Sequence, residues 1–206
     1  VVEPSAVGNE RPKSEQYAGV KVSLYPEGGH IVSGLPTNIA FKAIDSSGCN
    51  VSGTLLIDGE IEEVAVKSSV QHDGMGTIRI TPKSSRNINA RFIYQGEEYK
   101  VELPSVEKSG YTMLLSDNYA KEHLVLGLHR NVDELEHTLA VTVTCRGKLI
   151  HHSQLVMQDS VKNYNHCIST IGWPLGVCHI VVYNSEGNVL LSRNMFRYNS
   201  EFTSPS

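Results

Sequence analysis

The sequence predicts an all-β protein of two tandem antiparallel β-sandwich domains, and three observations carry that reading. From Val20 onward, short runs rich in Val, Ile, Thr, Phe and Tyr recur about every 8–15 residues, separated by Gly, Asn, Asp, Ser and Pro, the spacing of sandwich strands. Several runs alternate with period two. In Ile39-Ala-Phe41-Lys-Ala43 the odd positions are apolar and Lys42 faces the other way, as in a half-buried strand. Finally, no helix-period stretch of useful length occurs, and residues 131–137 are the best place for a single helical turn.

Residues 1–17 are polar, contain two prolines (Pro4 and Pro12) and lack periodicity, so they read as an arm or linker. The first sandwich is expected over 18–105, with strands at Val20–Tyr25, Asn38–Ile44, Gly53–Ile57, Glu62–Lys67, Gly76–Thr81, Ala90–Tyr94 and Glu98–Leu103. Asp58-Gly59 and Gln95-Gly96 supply hairpin turns between them. Leu103-Pro104 and the polar residues after it break the pattern, because proline cannot donate to a central ladder. This pair is expected to pack between the domains, across a short join at Ser105–Gly110 that limits relative motion. The second sandwich, 106–198, has strands expected at Tyr111–Leu115, Leu124–His129, Thr138–Cys145, Leu149–Leu155, Asn165–Thr170, Val177–Tyr183 and Val189–Phe196. A polar tail, 199–206, closes the chain.

Composition removes several function classes. The 206 residues are 40% hydrophobic and 19% charged, with a net charge of −4, which excludes nucleic acid or anionic lipid held by bulk positive charge. Apolar runs are only a few residues long, far short of the roughly 20 needed to span a bilayer as a helix, so no direct membrane insertion by this segment is expected. No signal peptide is visible at Val1-Val2-Glu3-Pro4; a trimmed signal and a segment of a longer protein both remain open. Cys49, Cys145, Cys167 and Cys178 form no C-x-x-C pair. They read as free thiols, with one disulfide among Cys145, Cys167 and Cys178 as the alternative.

The chemistry-bearing residues form no catalytic motif. There are nine histidines, but His151 and His152 are adjacent and face opposite sides of a strand, and His166 beside Cys167 meets the same objection. A zinc site would need His72, His129 or His137 gathered in space, which their spacing does not predict. No Gly-x-Ser-x-Gly elbow is present, Gly28-Gly29 lacks the lysine and helix of a phosphate loop, and Glu60, Glu62 and Glu63 read as a solvated hairpin. No catalytic, cofactor-binding or metal-ligating residue is therefore expected, and the protein reads as a non-enzyme. For ligand contact, Trp173, Tyr119 and Tyr164 are the candidates, since such rings offer stiff amphipathic area; core packing is the competing role. Glu27 and Asp73 are expected to accept N–H bonds within their own turns.

Five blocks occur in order in the first half: Tyr25-Pro-Glu-Gly-Gly29, Ile31-Val-Ser-Gly-Leu35, Asn38-Ile-Ala-Phe-Lys-Ala43, Asp45-Ser-Ser-Gly48 with Val51-Ser-Gly53, and His72-Asp-Gly-Met-Gly76. The second half closes with Trp173-Pro-Leu-Gly-Val177, Asn184-Ser-Glu-Gly187, Leu191-Ser-Arg193 and Phe196. This pattern, over about residues 18–198, resembles the macroglobulin-like (MG2-type) β-sandwich repeats of large Bacteroidetes cell-envelope proteins, some of them linked to TonB-dependent receptors. Trp173 and the His151-His152 pair depart from it. The resemblance implies two Ig-like, macroglobulin-type domains in the periplasm or at the outer-membrane surface, acting as a structural or adhesion-like interaction segment. It implies flanking domains of a longer protein as partners. A glycan- or peptide-binding module for outer-membrane uptake is the alternative.

Overall fold

The computed structural model describes residues 19–198 apart from 64, 85, 119–121 and 133–134. The arm and the tail lie outside the described residues. Among the described residues there is no helix, and the remaining residues of 131–137 form no helical turn. No helix is long and apolar enough to cross a membrane.

Among the described residues, sixteen strands follow one another. The first nine are β1 (Val20–Pro26), β2 (Ile31–Val32), β3 (Thr37–Asp45), β4 (Thr54–Gly59), β5 (Ala65–Ser69), β6 (Met75–Ile80), β7 (Ile88–Tyr94), β8 (Glu97–Val101) and β9 (Val106–Glu107). Then come β10 (Tyr111–Asn118), β11 (His123–Arg130), β12 (Thr138–Cys145), β13 (Lys148–Val156), β14 (Asn163–Ser169), β15 (Gly176–Tyr183) and β16 (Val189–Arg197). The sheets are β1-β3-β6 and β5-β4-β7-β8, then β10-β11-β14 and β13-β12-β15-β16. The second pair repeats the order of the first strand for strand, so both halves are Ig-like sandwiches of one topology, a three-stranded sheet facing a four-stranded one.

Side-chain alternation decides which face goes inward. In β12, Leu139, Val141, Val143 and Cys145 are buried while the threonines between them stay half-exposed. In β3, Thr37, Ile39, Phe41 and Ala43 turn inward. The buried side chains form two clusters, one around Phe41, Leu55, Ile57, Ile80 and Phe92, the other around Met113, Leu126, Val141, Ile180 and Leu191. Burying each such residue contributes about 1.5–3 kcal/mol. Phe41 and Phe92 meet edge-on between the facing sheets, their centroids 6.3 Å apart. Gly76 makes room for that pair, since a Cβ there would collide with the Phe41 ring.

Two departures from the expected elements concern long-range pairing. The two-residue strands β2 and β9 pair in parallel, Ile31 with Val106 and Val32 with Glu107, so the join is itself a strand. Leu103, expected between the sandwiches, packs with Val106 against the first core. The fifth strand begins at Ala65 rather than Glu62, because Ile61 leaves the ladder to bridge Pro82 and Glu63 accepts the Thr81 N–H. All four cysteines are free thiols, although Cys145 and Cys178 are buried directly opposite one another on β12 and β15.

Candidate functional site: the joint and a histidine cluster

The block Tyr25–Gly29 builds the joint. Proline closes β1 at Pro26, the Glu27 N–H donates to Asn38 O at 2.8 Å, and the Gly29 N–H returns to Pro26 O at 3.0 Å. This tight reversal points Glu27 away from its own turn. Its Oε1 accepts the Leu115 N–H of β10 at 2.6 Å and pairs with Arg193 of β16, while Oε2 accepts from Asn38 Nδ2 at 2.8 Å. The Glu27 side chain is only 6% exposed. The expected role of Glu27, capping its own turn, is thus corrected: the carboxylate serves N–H groups of the second sandwich, because Gly28 carries the chain past it in a left-handed conformation. Gly28 has φ +84°, and a Cβ on it would meet Met113 Cγ at 2.7 Å and Leu191 Cδ2 at 3.1 Å. Only glycine lets the backbone lie this close to the second core. Ser192 N–H donates to Gly28 O at 3.3 Å.

The rest of the β1–β3 connection is fastened too. Thr112 Oγ1 donates to Pro36 O at 3.1 Å. Asn131 Nδ2 donates to Ser33 O at 2.9 Å and to Lys108 O at 2.7 Å, and its Oδ1 accepts the Gly110 N–H at 3.1 Å. His30 Nδ1 lies 2.6 Å from Glu107 Oε1. Beside these bonds a groove of about 660 Å³ opens between the sandwiches, with Ser33, Leu35, Glu62, Thr81, His129 and Asn131 among its walls and no Tyr, Trp or Phe. Close by, Arg130 is completely buried, its guanidinium donating to Val161 O (2.9 Å), Leu135 O (3.4 Å) and Gln158 O (2.6 Å). Carbonyl oxygens neutralise this charge in part, which a buried cation requires.

A second cluster lies on the open flank of the second sandwich, between the edge strands β13 and β14. Period two turns His151 and Ser153 of β13 to the side on which Leu155 is buried, and Tyr164 and His166 of β14 to that of Ile168. His151 Nε2 lies 3.2 Å and His166 Nε2 2.9 Å from the same Ser153 hydroxyl. The two imidazole centroids are 6.0 Å apart. Burial lowers both pKa values from the ordinary histidine value, and for His151 the neighbouring His166 and His152 lower it further. The adjacency argument against His151 and His152 acting together is sound for that pair, but it could not see His166 arriving from another strand.

Of the expected contact residues, Trp173 is half-buried against the second core with its ring 6.5 Å from His151, and Tyr164 packs on the same core. The structure gathers these two on the flank that carries the histidines. Tyr119 lies outside the described residues. His72, His129 and His137 stay apart, facing Asp73, Asn163 and Asp159 respectively. Among the described residues, no three His, Cys, Asp or Glu side chains gather to hold a metal ion. Asp73 takes a positive φ of 45° in its turn and faces His72; Asp45 makes the side-chain turn bonds, accepting the N–H groups of Ser47 and Cys49 at 2.9 Å each.

No family model and no curated protein matches the chain. Among solved structures, the chain is similar to the adhesin InvE of Yersinia pseudotuberculosis, at 11% identity and a TM-score of 0.33, covering 87% of this chain and 60% of that one. It is also similar to latent dimeric PorU from Porphyromonas gingivalis (14% identity, TM-score 0.44), covering 94% of this chain and 21% of that one. Domains 5-6 of the S-layer protein SbsC align at 10% identity and TM-score 0.39, over 85% of this chain and 95% of theirs. The chain thus spans less than two thirds of InvE and about a fifth of PorU. Likeness of this degree carries no information about activity, ligand or partner.

Proposed function

We propose that this chain is a non-enzymatic, adhesion-like structural segment of a bacterial cell-envelope protein, in which macroglobulin-type sandwiches at 18–105 and 106–198 hold flanking domains at a fixed separation and angle. The observation that carries this reading is the Glu27 joint: a buried carboxylate of the first sandwich bonded to a backbone N–H and a guanidinium of the second. Domains joined only by a linker move freely, whereas a buried, multiply bonded interface removes that freedom. The motif blocks that carry the macroglobulin-like resemblance also supply both sides of this contact, Glu27 in the first and Arg193 in the last. Capture of a glycan or peptide for uptake would instead draw on the groove at the joint, whose walls offer hydrogen-bonding groups and, of rings, only the His129 imidazole and Pro36.

The test is residual dipolar coupling and small-angle scattering on residues 1–206. One alignment tensor for both sandwiches, and a scattering profile reproduced by one arrangement, are the expected results. Two independent tensors would overturn the spacer reading.

A further inference from the structure

We propose that His151 and His166 form a two-imidazole site for a divalent late transition metal, copper(II) foremost, on the open flank of the second sandwich. The proposal is independent of the spacer reading. Two Nε2 atoms from different strands converge on one hydroxyl, at 3.2 and 2.9 Å, so an ion that displaces this hydroxyl sideways finds both nitrogens aimed at it, to be drawn in to about 2 Å. Ser153 Oγ then stands as an oxygen donor beside the ion, and water from the open flank fills the remaining positions. No carboxylate takes part in the cluster's hydrogen bonds, which disfavours calcium and magnesium, ions that demand oxygen. Imidazole nitrogen suits copper, nickel and zinc, and copper(II) binds most tightly of the series.

The electrostatics point the same way. A ligating imidazole must be neutral, and burial keeps both rings neutral to lower pH than a free histidine. Within the cluster, the Ser153 hydroxyl can donate to only one Nε2, so the other Nε2 carries the proton. On metal binding that ring shifts its proton to Nδ1, and no net proton is released at neutral pH.

Trp173, the single tryptophan of the chain, has its ring centroid 6.5 Å from that of His151 and serves as the reporter, since copper(II) held by a neighbouring imidazole quenches indole fluorescence. The experiment titrates copper(II) into untagged protein carrying Cys49→Ser and Cys167→Ser, which removes the two exposed thiols that the ion would oxidise. Saturable quenching at one ion per chain is expected. H151Q and H166Q should each weaken it by more than about a hundredfold, beyond the roughly 10–100-fold loss usual for a supporting group. H152Q, whose exposed side chain faces the other way, should leave it unchanged. Quenching that does not saturate, or that survives both H151Q and H166Q in proteins with the parent's circular dichroism, overturns the site. If either variant fails to fold, electron paramagnetic resonance of the copper-loaded parent decides: superhyperfine coupling to two imidazole nitrogens supports the proposal, and coupling to fewer overturns it.

Discussion

Glu27 and Arg193 meet across the joint, one in the first connection of the first sandwich and the other in the last strand of the second, and the same Glu27 oxygen also holds the Leu115 N–H at 2.6 Å. Removing the carboxylate leaves the Leu115 amide without its acceptor in a largely buried spot, whereas the Arg193 guanidinium, 36% exposed, turns to water. Glu27→Ala should therefore cost about 1–2 kcal/mol at the interface, chiefly through the orphaned amide. Chemical denaturation checks this. The parent is expected to unfold in one transition, and Glu27→Ala in two, as the halves lose their coupling.

Arg130 offers a second, more local prediction. Three carbonyls converge on its guanidinium, a fork that lysine cannot reproduce. Arg130→Lys should cost about 1.5–3 kcal/mol and Arg130→Ala more, since the carbonyls are then orphaned beside a void. Hydrogen exchange in the uncoupled Glu27→Ala background should show the loss in β10–β16 and spare β3–β8.

The cysteines divide by exposure. Cys49 and Cys167 are exposed; Cys145 and Cys178 are buried and opposed. Burial first, then the neighbouring Cys145 thiol, pushes the Cys178 thiol up to about 12, so it is un-ionised and inert at neutral pH. A disulfide-exchange reagent should titrate two thiols quickly and the other two only on unfolding. An acid whose pKa is raised on folding adds stability that is present in full below its unfolded value, about 8.5, and is lost as pH climbs toward 12. Stability measured from pH 8 to 11 should fall, and Cys178→Ala should flatten that fall.

His151 and His166 predict the opposite limb. Both pKa values are lowered in the fold, so the unfolded chain binds protons first as pH drops below about 6.5. Their contribution is complete above that value and declines through the acid range. Melting temperatures between pH 7 and 5 should drop less for the double variant H151Q/H166Q than for the parent.

Gly76 tests the first core. Its missing side chain is what admits the Phe41 ring, and Gly76→Ala should cost about 1–3 kcal/mol through displacement of that ring. Near-ultraviolet circular dichroism and the unfolding midpoint report it.

The strands were legible wherever one face is buried and the other wet. The range expected for β12 matches the observed Thr138–Cys145, because large apolar or thiol residues recur there at every second position and only Thr and Ala stand between them. What escaped depends on partners distant in sequence. Strands β2 and β9 are two residues long, too short for any period, and exist only because Ile31 finds Val106. The roles of Glu27 and His166 were hidden for the same reason: a local reading gave each a neighbour in its own segment, and the fold gave it one from elsewhere. The Tyr25–Gly29 block did carry a usable signal, since a carboxylate between a proline and two glycines is set on a backbone turned sharply enough to leave its own hairpin.

The two sandwiches share a topology but differ in one connection. Between β1 and β3 the chain spends residues 27–36 on reaching its neighbour, whereas between β10 and β11 it spends only 119–122. That longer connection is what lets the first sandwich take hold of the second. Fastened in this way, the two sandwiches would swing as one leaf of a carpenter's folding rule, so a length built from them would be counted in couples rather than in sandwiches.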